Sequence, residues 1–218
     1  MWALLGLALA GGLTHRTTRE PLPARWVERP VVLPAGWKQL DLHVAPGGVL
    51  GARGRLSLGP AVELRAAGAT DDAVQPIEVG AALALGRREA PARSVALELG
   101  WEAPRLAPVD PVHRVVLGLP CRRQWGGSRW TVGPVADVVA SAGLASRVGA
   151  RGEVGLQAGP LGGTLDGVAW LGSGAALSWH GSVGGFVQLN RALRVHGAQR
   201  LGDDEAPSGF VGGVELSL

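Results

Sequence analysis

The stretch Arg147-Val148-Gly149-Ala150-Arg151-Gly152-Glu153-Val154-Gly155-Leu156-Gln157-Ala158 decides how the whole chain is read. Val148, Ala150, Gly152, Val154, Leu156 and Ala158 fall on one parity, and Arg147, Arg151, Glu153 and Gln157 on the other. Successive side chains of a β-strand point to opposite faces, so this is a strand with one apolar and one charged face. The period of two recurs to the last residue with no helical stretch between. A chain of such strands must close on itself or pack a second sheet over one face.

Working outward, alternation starts near Gly36, and ten strands are expected at 36–44, 49–67, 76–86, 94–102, 111–119, 129–139, 147–158, 174–189, 192–200 and 209–218. The breaks carry turn residues: Ala45-Pro46-Gly47-Gly48, Gly68-Ala69-Thr70-Asp71-Asp72, Gly126-Gly127-Ser128, Asn190-Arg191 and Gly202-Asp203-Asp204. Alternation keeps one register through Gly59-Pro60 and through Gly181, so each of those segments is read as a single strand. Breaking them and counting 165–171 as a strand changes the number, and twelve strands is the second choice.

The apolar parity holds Leu40, Leu42, Leu56, Leu64, Leu83, Leu97, Leu99, Val115, Leu117, Val183, Val195 and Val214, among others, and no Asp, Glu or Arg within the ten strands. The opposite parity carries Asp41, Arg53, Arg55, Glu63, Arg65, Glu78, Glu98, Arg114, Asp137, Arg151, Glu153, Arg194 and Glu215. Apolar-out, polar-in alternation over ten-residue strands is the pattern of a transmembrane β-barrel. Lipid offers no partner to a free sheet edge, so a spanning sheet must close. An Arg or Lys on the lipid side costs about 2–4 kcal/mol at the midplane, which keeps that face free of charge. The alternative is a soluble periplasmic β-barrel whose apolar face turns inward around an apolar ligand. Ala52, Gly54, Ala66, Ala150, Gly152, Gly185 and Gly197 on the apolar parity would fill such a core poorly. Trp101 and Trp130 stand at strand ends on that parity, where interfacial Trp belongs. The fold expected is an all-β, closed, antiparallel up-and-down transmembrane barrel.

Composition narrows the function classes. The 218 residues include 35 Gly, 15 Pro and no Tyr, and 20 of the 21 basic residues are Arg. A net charge of +3 with basic residues scattered among acids makes no nucleic-acid footprint. Cys121 stands alone, so the chain has no internal disulfide and no Cys-based metal site. His15, His43, His113, His180 and His196 lack metal-site spacing. Gly172-Ser173-Gly174 and Gly126-Gly127-Ser128 lack the strand–turn–helix setting of a nucleophile elbow. No catalytic residue, cofactor or metal is expected.

Residues 1–10 read as a signal peptide ending in Ala8-Leu9-Ala10, an A-x-A cleavage site. The positive n-region is missing, so either the true start lies upstream or the signal is atypical. No Cys follows, which excludes a lipoprotein signal. Residues 11–35, rich in Arg, Pro and Thr and without a period, read as an extended lead-in, and 36–218 as the barrel. No stretch of 18 apolar residues occurs, so no membrane helix is expected.

Arg29-Pro30-Val31-Val32-Leu33-Pro34-Ala35-Gly36-Trp37 resembles the lead-in to the first strand of poorly characterised, porin-like bacterial outer-membrane β-barrel proteins. Gly68-Ala69-Thr70-Asp71-Asp72 is similar to their Gly-x-Thr-Asp turn, and Leu189-Asn190-Arg191-Ala192-Leu193 to a porin-like tight turn. The resemblance, over 29–218, implies an outer-membrane location, contact with outer-membrane lipid and assembly by the barrel assembly machinery. Such families end in an aromatic residue, whereas this chain ends Val214-Glu215-Leu216-Ser217-Leu218.

Six Arg and seven acids on one parity share a narrow interior, where opposite charges pair to avoid uncompensated burial. A charged, largely filled lumen is expected, with a structural or adhesive role or a narrow path for small solutes or ions. Ten strands put both termini on the periplasmic side with the 70–71 and 190–191 turns, and put 87–93, 120–128, 159–173 and 201–208 outside.

Overall fold

The computed structural model describes residues 20–69, 77–85, 93–103, 113–140, 144–172, 177–202 and 208–218. The signal segment, Thr70-Asp71-Asp72 and Asp203-Asp204 fall outside these residues. The strands are β1 (Lys38–Ala45), β2 (Val49–Ser57), β3 (Val62–Ala69), β4 (Ile77–Leu85), β5 (Arg93–Ala103), β6 (His113–Gly118) and β7 (Cys121–Trp125). They continue with β8 (Ser128–Ala140), β9 (Leu144–Ala158), β10 (Leu161–Gly172), β11 (Leu177–Gln188), β12 (Leu193–Gly202) and β13 (Gly209–Ser217). All pairings are antiparallel, each strand except β6 and β7 lies beside its sequence neighbours, and β1 joins β13 from Gln39↔Ser217 to Val44↔Gly212 to close the ring.

The 13 strands make a barrel of twelve staves, because β6 and β7 lie end to end between β5 and β8. Leu119-Pro120 interrupts that stave, since proline has no N–H for the ladder, yet the register runs through unchanged: Glu98↔Gly118 and Val95↔Cys121 keep one offset, as do Gly118↔Val135 and Cys121↔Val132. Gly133 on β8 permits the close approach of the two staves there, since a Cβ at 133 would lie 2.3 Å from the Leu119 carbonyl oxygen.

Twelve staves replace the ten first expected and match the second choice. The segment 49–67 reverses at Leu58-Gly59-Pro60-Ala61, where the Leu58 N–H meets the Val62 carbonyl at 2.9 Å. Four turn residues preserve parity, so alternation runs through the reversal unchanged. The expected loop 159–173 is mostly strand β10, entered by a tight turn in which Gly159 has φ +59°. Of the segment 174–189, the described residues 177–188 form one unbroken strand, β11.

The extra staves also correct the ends. The termini share one end with the 58–61, 126–127, 159–160 and 189–192 turns, and β4 ends and β5 begins there. The segments 87–93 and 120–128 therefore belong to this end, not the opposite one, and most of 120–128 is β7. β3 ends and β4 begins at the far end, which moves the Gly68–Asp72 turn away from the termini; Asn190-Arg191 remains with them.

The apolar parity faces outward: Leu50 is 56 % exposed, Leu165 58 % and Trp130 55 %, while inward Glu63 is 0 % and Asp137 1 % exposed. A soluble barrel needs the reverse. Among the described residues no helix is long and apolar enough to cross a membrane.

Candidate functional site

The lumen is organised by the segment that precedes β1. Residues 20–37 do not trail from the barrel; they turn into it, with one 3-10 turn at Trp26–Glu28. Leu22, Trp26, Val27, Val31, Val32, Leu33 and Ala35 are all buried. Val31 and Val32 pack on the inward Ala82 and Ala96 of β4 and β5, positions small enough to admit them.

A backbone running through a lumen without a strand partner still needs its polar groups satisfied. Wall side chains do this. The Trp26 and Val27 N–H groups donate to the amide oxygens of Gln188 (3.0 Å) and Gln157 (3.2 Å). The Leu33 N–H donates to Glu63 at 2.6 Å, and Ser94 accepts from Val31 at 3.3 Å. In return Arg55 donates to the Val31 carbonyl (2.5 Å), Arg122 to that of Arg29 (3.0 Å), and Arg129 to that of Trp26 (3.2 Å). Arg29 crosses to the seam, donating to Glu215 (2.9 Å), Ser217 (3.0 Å) and the Arg191 carbonyl (2.8 Å). The Trp26 indole lies between the Arg129 guanidinium, 3.1 Å from its centroid, and that of Arg194 at 4.3 Å. Phe186 is tilted against it at 4.9 Å.

These contacts gather at strand ends beside the termini, so the segment occupies that mouth. Nothing periodic announced it in the sequence. The available signals were the apolar pairs Trp26-Val27 and Val31-Val32, and the uncharged polar positions Gln39, Gln157, Gln188 and Ser217 near one end of the inward parity.

The charged residues expected to line the lumen mostly meet partners. Glu63, fully buried, holds Arg55 at 2.8 Å and Arg65 at 2.6 Å. Glu98 bridges Arg65 (2.5 Å) and Arg151 (2.6 Å), spanning from β3 to β9. Asp137 holds Arg147 (2.7 Å) and Arg114 (3.4 Å). Glu153 pairs with Arg122 (3.3 Å) and Arg129, and Glu215 with Arg194 and Arg29. Asp41 accepts from His43 (2.8 Å) and His196 (2.7 Å). Arg53 and Glu78 are exposed to the lumen and have no ion-pair partner among the described residues.

Arg29, Glu102, Arg122, Arg129 and Arg147 also belong to this network and were not among the lumen charges expected from the sequence, although Arg147 was read on the charged parity. Arg122 fell in an expected loop, Arg29 in the lead-in, and the others at strand ends. Among the described residues no group of three or more His, Cys, Asp or Glu could hold a metal ion.

Beyond the Arg65–Glu98–Arg151 bridge, toward the far mouth, lies a cavity of about 350 Å³. The lumen is thus packed at one end and hollow at the other.

Comparison with known proteins supports the architecture. No family model matches the chain, and a search of curated proteins found no match. Among solved structures it is similar to the NanC porin, with 7 % identity and a TM-score of 0.62 over 83 % of this chain and 98 % of that one. It is also similar to a membrane protein from a study of in-meso crystallization, at 9 % identity and TM-score 0.58 over 84 % and 82 % of the two chains. At these identities the likeness is one of fold. A closed sheet with an apolar outer surface and a charged interior is built to stand in lipid, and the fold is that of a porin-like outer-membrane barrel.

Proposed function

We propose that the protein is an outer-membrane channel for small solutes, held shut at one mouth by its own residues 20–37. The observation that carries this reading is the burial of Val27, Val32 and Leu33 inside the wall, at 1–3 % exposure, with their backbone bonded to lumen side chains. Short turns belong on the periplasmic side of such barrels, which puts the termini and the plugged mouth there. Outer-membrane lipid meets the apolar belt, and the barrel assembly machinery acts on the last strand, β13.

The balanced, cross-linked charges favour a narrow path over a general pore. A wide pore carries a ring of one sign for selectivity, whereas here nearly every inward acid holds an arginine or histidine. The reading is non-catalytic. Ser182 donates its hydroxyl to Asp166 at 2.5 Å rather than to a histidine, and both oxygens of Asp41 are engaged by histidines.

Planar-bilayer recording tests the proposal. The wild-type barrel should pass little current, and a chain lacking residues 20–35 should pass a larger, steady one, with heat-modifiable migration showing that both are folded. Large steady wild-type current, or no change on removing the segment from a folded barrel, overturns it.

A further inference from the structure

We propose that the hollow outer half of the lumen binds a small zwitterion with an aliphatic chain, in chemical class an α-amino acid. This deepens the channel reading and rests on it for the route by which the solute arrives. Gly80 on β4, Gly100 on β5 and Gly118 on β6 face inward and border the cavity without side chains to narrow it. Its volume, about 350 Å³, falls at the small end of ligand sites.

Three kinds of surface meet there. Glu78 and Glu102 are register partners on β4 and β5. Arg114 engages Glu102 at 3.2 Å, while Glu78 leans over Gly100 with no ion-pair partner among the described residues. Two adjacent carboxylates sharing one arginine leave negative charge to be met by a cation. Across the cavity stand Arg147 and Arg151. Arg151 gives a single nitrogen to Glu98 and keeps 45 % of its side chain exposed. A guanidinium has five N–H donors in a planar fork, so it can still take a carboxylate.

The third surface is apolar. Val116, Val135, Val168 and Trp170 line the same space, and the Arg147 guanidinium lies 5.0 Å from the Trp170 ring centroid. An ammonium at Glu78, a carboxylate at Arg151 and a short hydrocarbon chain on the valines would satisfy all three at once. A ligand lacking either charge leaves one pole of the cavity unmatched.

The test is equilibrium dialysis of the full chain in detergent micelles at low ionic strength. Isotope-labelled leucine is compared with isoamylamine, which lacks the carboxylate, and isocaproate, which lacks the amine. Leucine should be retained about tenfold more tightly than either. Glu78→Gln, checked for heat-modifiable migration, should bring leucine down to the level of isocaproate. Isoamylamine matching leucine would make this a plain cation site, and isocaproate matching it a plain anion site; either result overturns the proposal. So does retention of none of the three, or an unchanged Glu78→Gln barrel. Retention is read without current. Leucine binding by a barrel that stays silent after plug removal would sink the channel reading alone, and current without binding would sink this site alone.

Discussion

Trp26→Ala is the sharpest perturbation of the plug. The indole touches three wall side chains from two sides: Arg129 at 3.1 Å and Arg194 at 4.3 Å from its centroid, and Phe186 at 4.9 Å between ring centres. Removing a buried Trp costs about 3–5 kcal/mol in cores, a figure that includes the packing lost. Cation–π contacts out of water contribute up to about 2 kcal/mol of such a loss. The strands do not depend on this ring for their ladders, so the cost falls mainly on the docked state of residues 20–37. At about 1.4 kcal/mol per factor of ten, the ratio of displaced to docked plug should rise on the order of a hundredfold to a thousandfold. Single-channel recording in planar bilayers reads this as longer and more frequent openings, at unchanged amplitude of the open state. The variant should keep its heat-modifiable migration. A folded Trp26→Ala barrel with the wild-type open probability would refute the reasoning, because the ring would then not hold the plug.

Other consequences follow from the same coordinates. Leu83→Arg, on the lipid side of β4, should cost about 2–4 kcal/mol near the midplane and block membrane assembly, while Ala67→Arg, inward beside Glu78, should assemble; equal damage from both, scored by outer-membrane fractionation, would count against the facing. Ala82→Arg points inward yet lands on Val31 and Val32, so it should assemble but raise conductance by displacing the plug. Arg29→Ala strands part of the buried Glu215 charge and should lower stability by up to about 3–5 kcal/mol in urea titrations. Adding Glu215→Gln should cost less than the sum of the two single changes, and strict additivity would mean the pair is not coupled. Gly133→Ala drives a Cβ to 2.3 Å from the Leu119 oxygen and should cost about 1–3 kcal/mol, while Gly152→Ala, with open space around it, should be silent in the same titration.

Parity was the legible part of the fold. Side-chain alternation reports which face a residue joins, and the staves obey it except beside the termini, where the register partners Arg93 and Arg123 share the outward parity. Direction is a different matter: the turn at 58–61 has an even number of residues, so Leu56 and Leu64 keep one parity and stand opposite each other on adjacent strands. β10 was faint because its outward positions include Gly163, Gly167 and Ala169, which barely contrast with the inward face. The plug was illegible for a deeper reason. Its backbone is bonded to side chains scattered from Arg55 to Gln188, and no local period encodes such contacts. Phe186 was a clue, since a bulky apolar group facing inward at the plugged end needs something to pack against, and it meets Trp26. Ion-pair partners were equally hidden. Glu98 and Arg151 meet three staves apart, through the curvature of the barrel rather than the strand pairing.

The central claim is that residues 20–37 occupy the lumen of the membrane-inserted barrel, and hydrogen exchange on the unaltered protein tests it most directly. The amides of Trp26, Val27 and Leu33 donate to buried side chains of Gln188, Gln157 and Glu63. In protein reconstituted into lipid bilayers, peptides covering 24–35 should exchange as slowly as peptides from β9 and β11. Exchange of that segment at the rate of an unstructured chain, beside protected strands, would contradict the account.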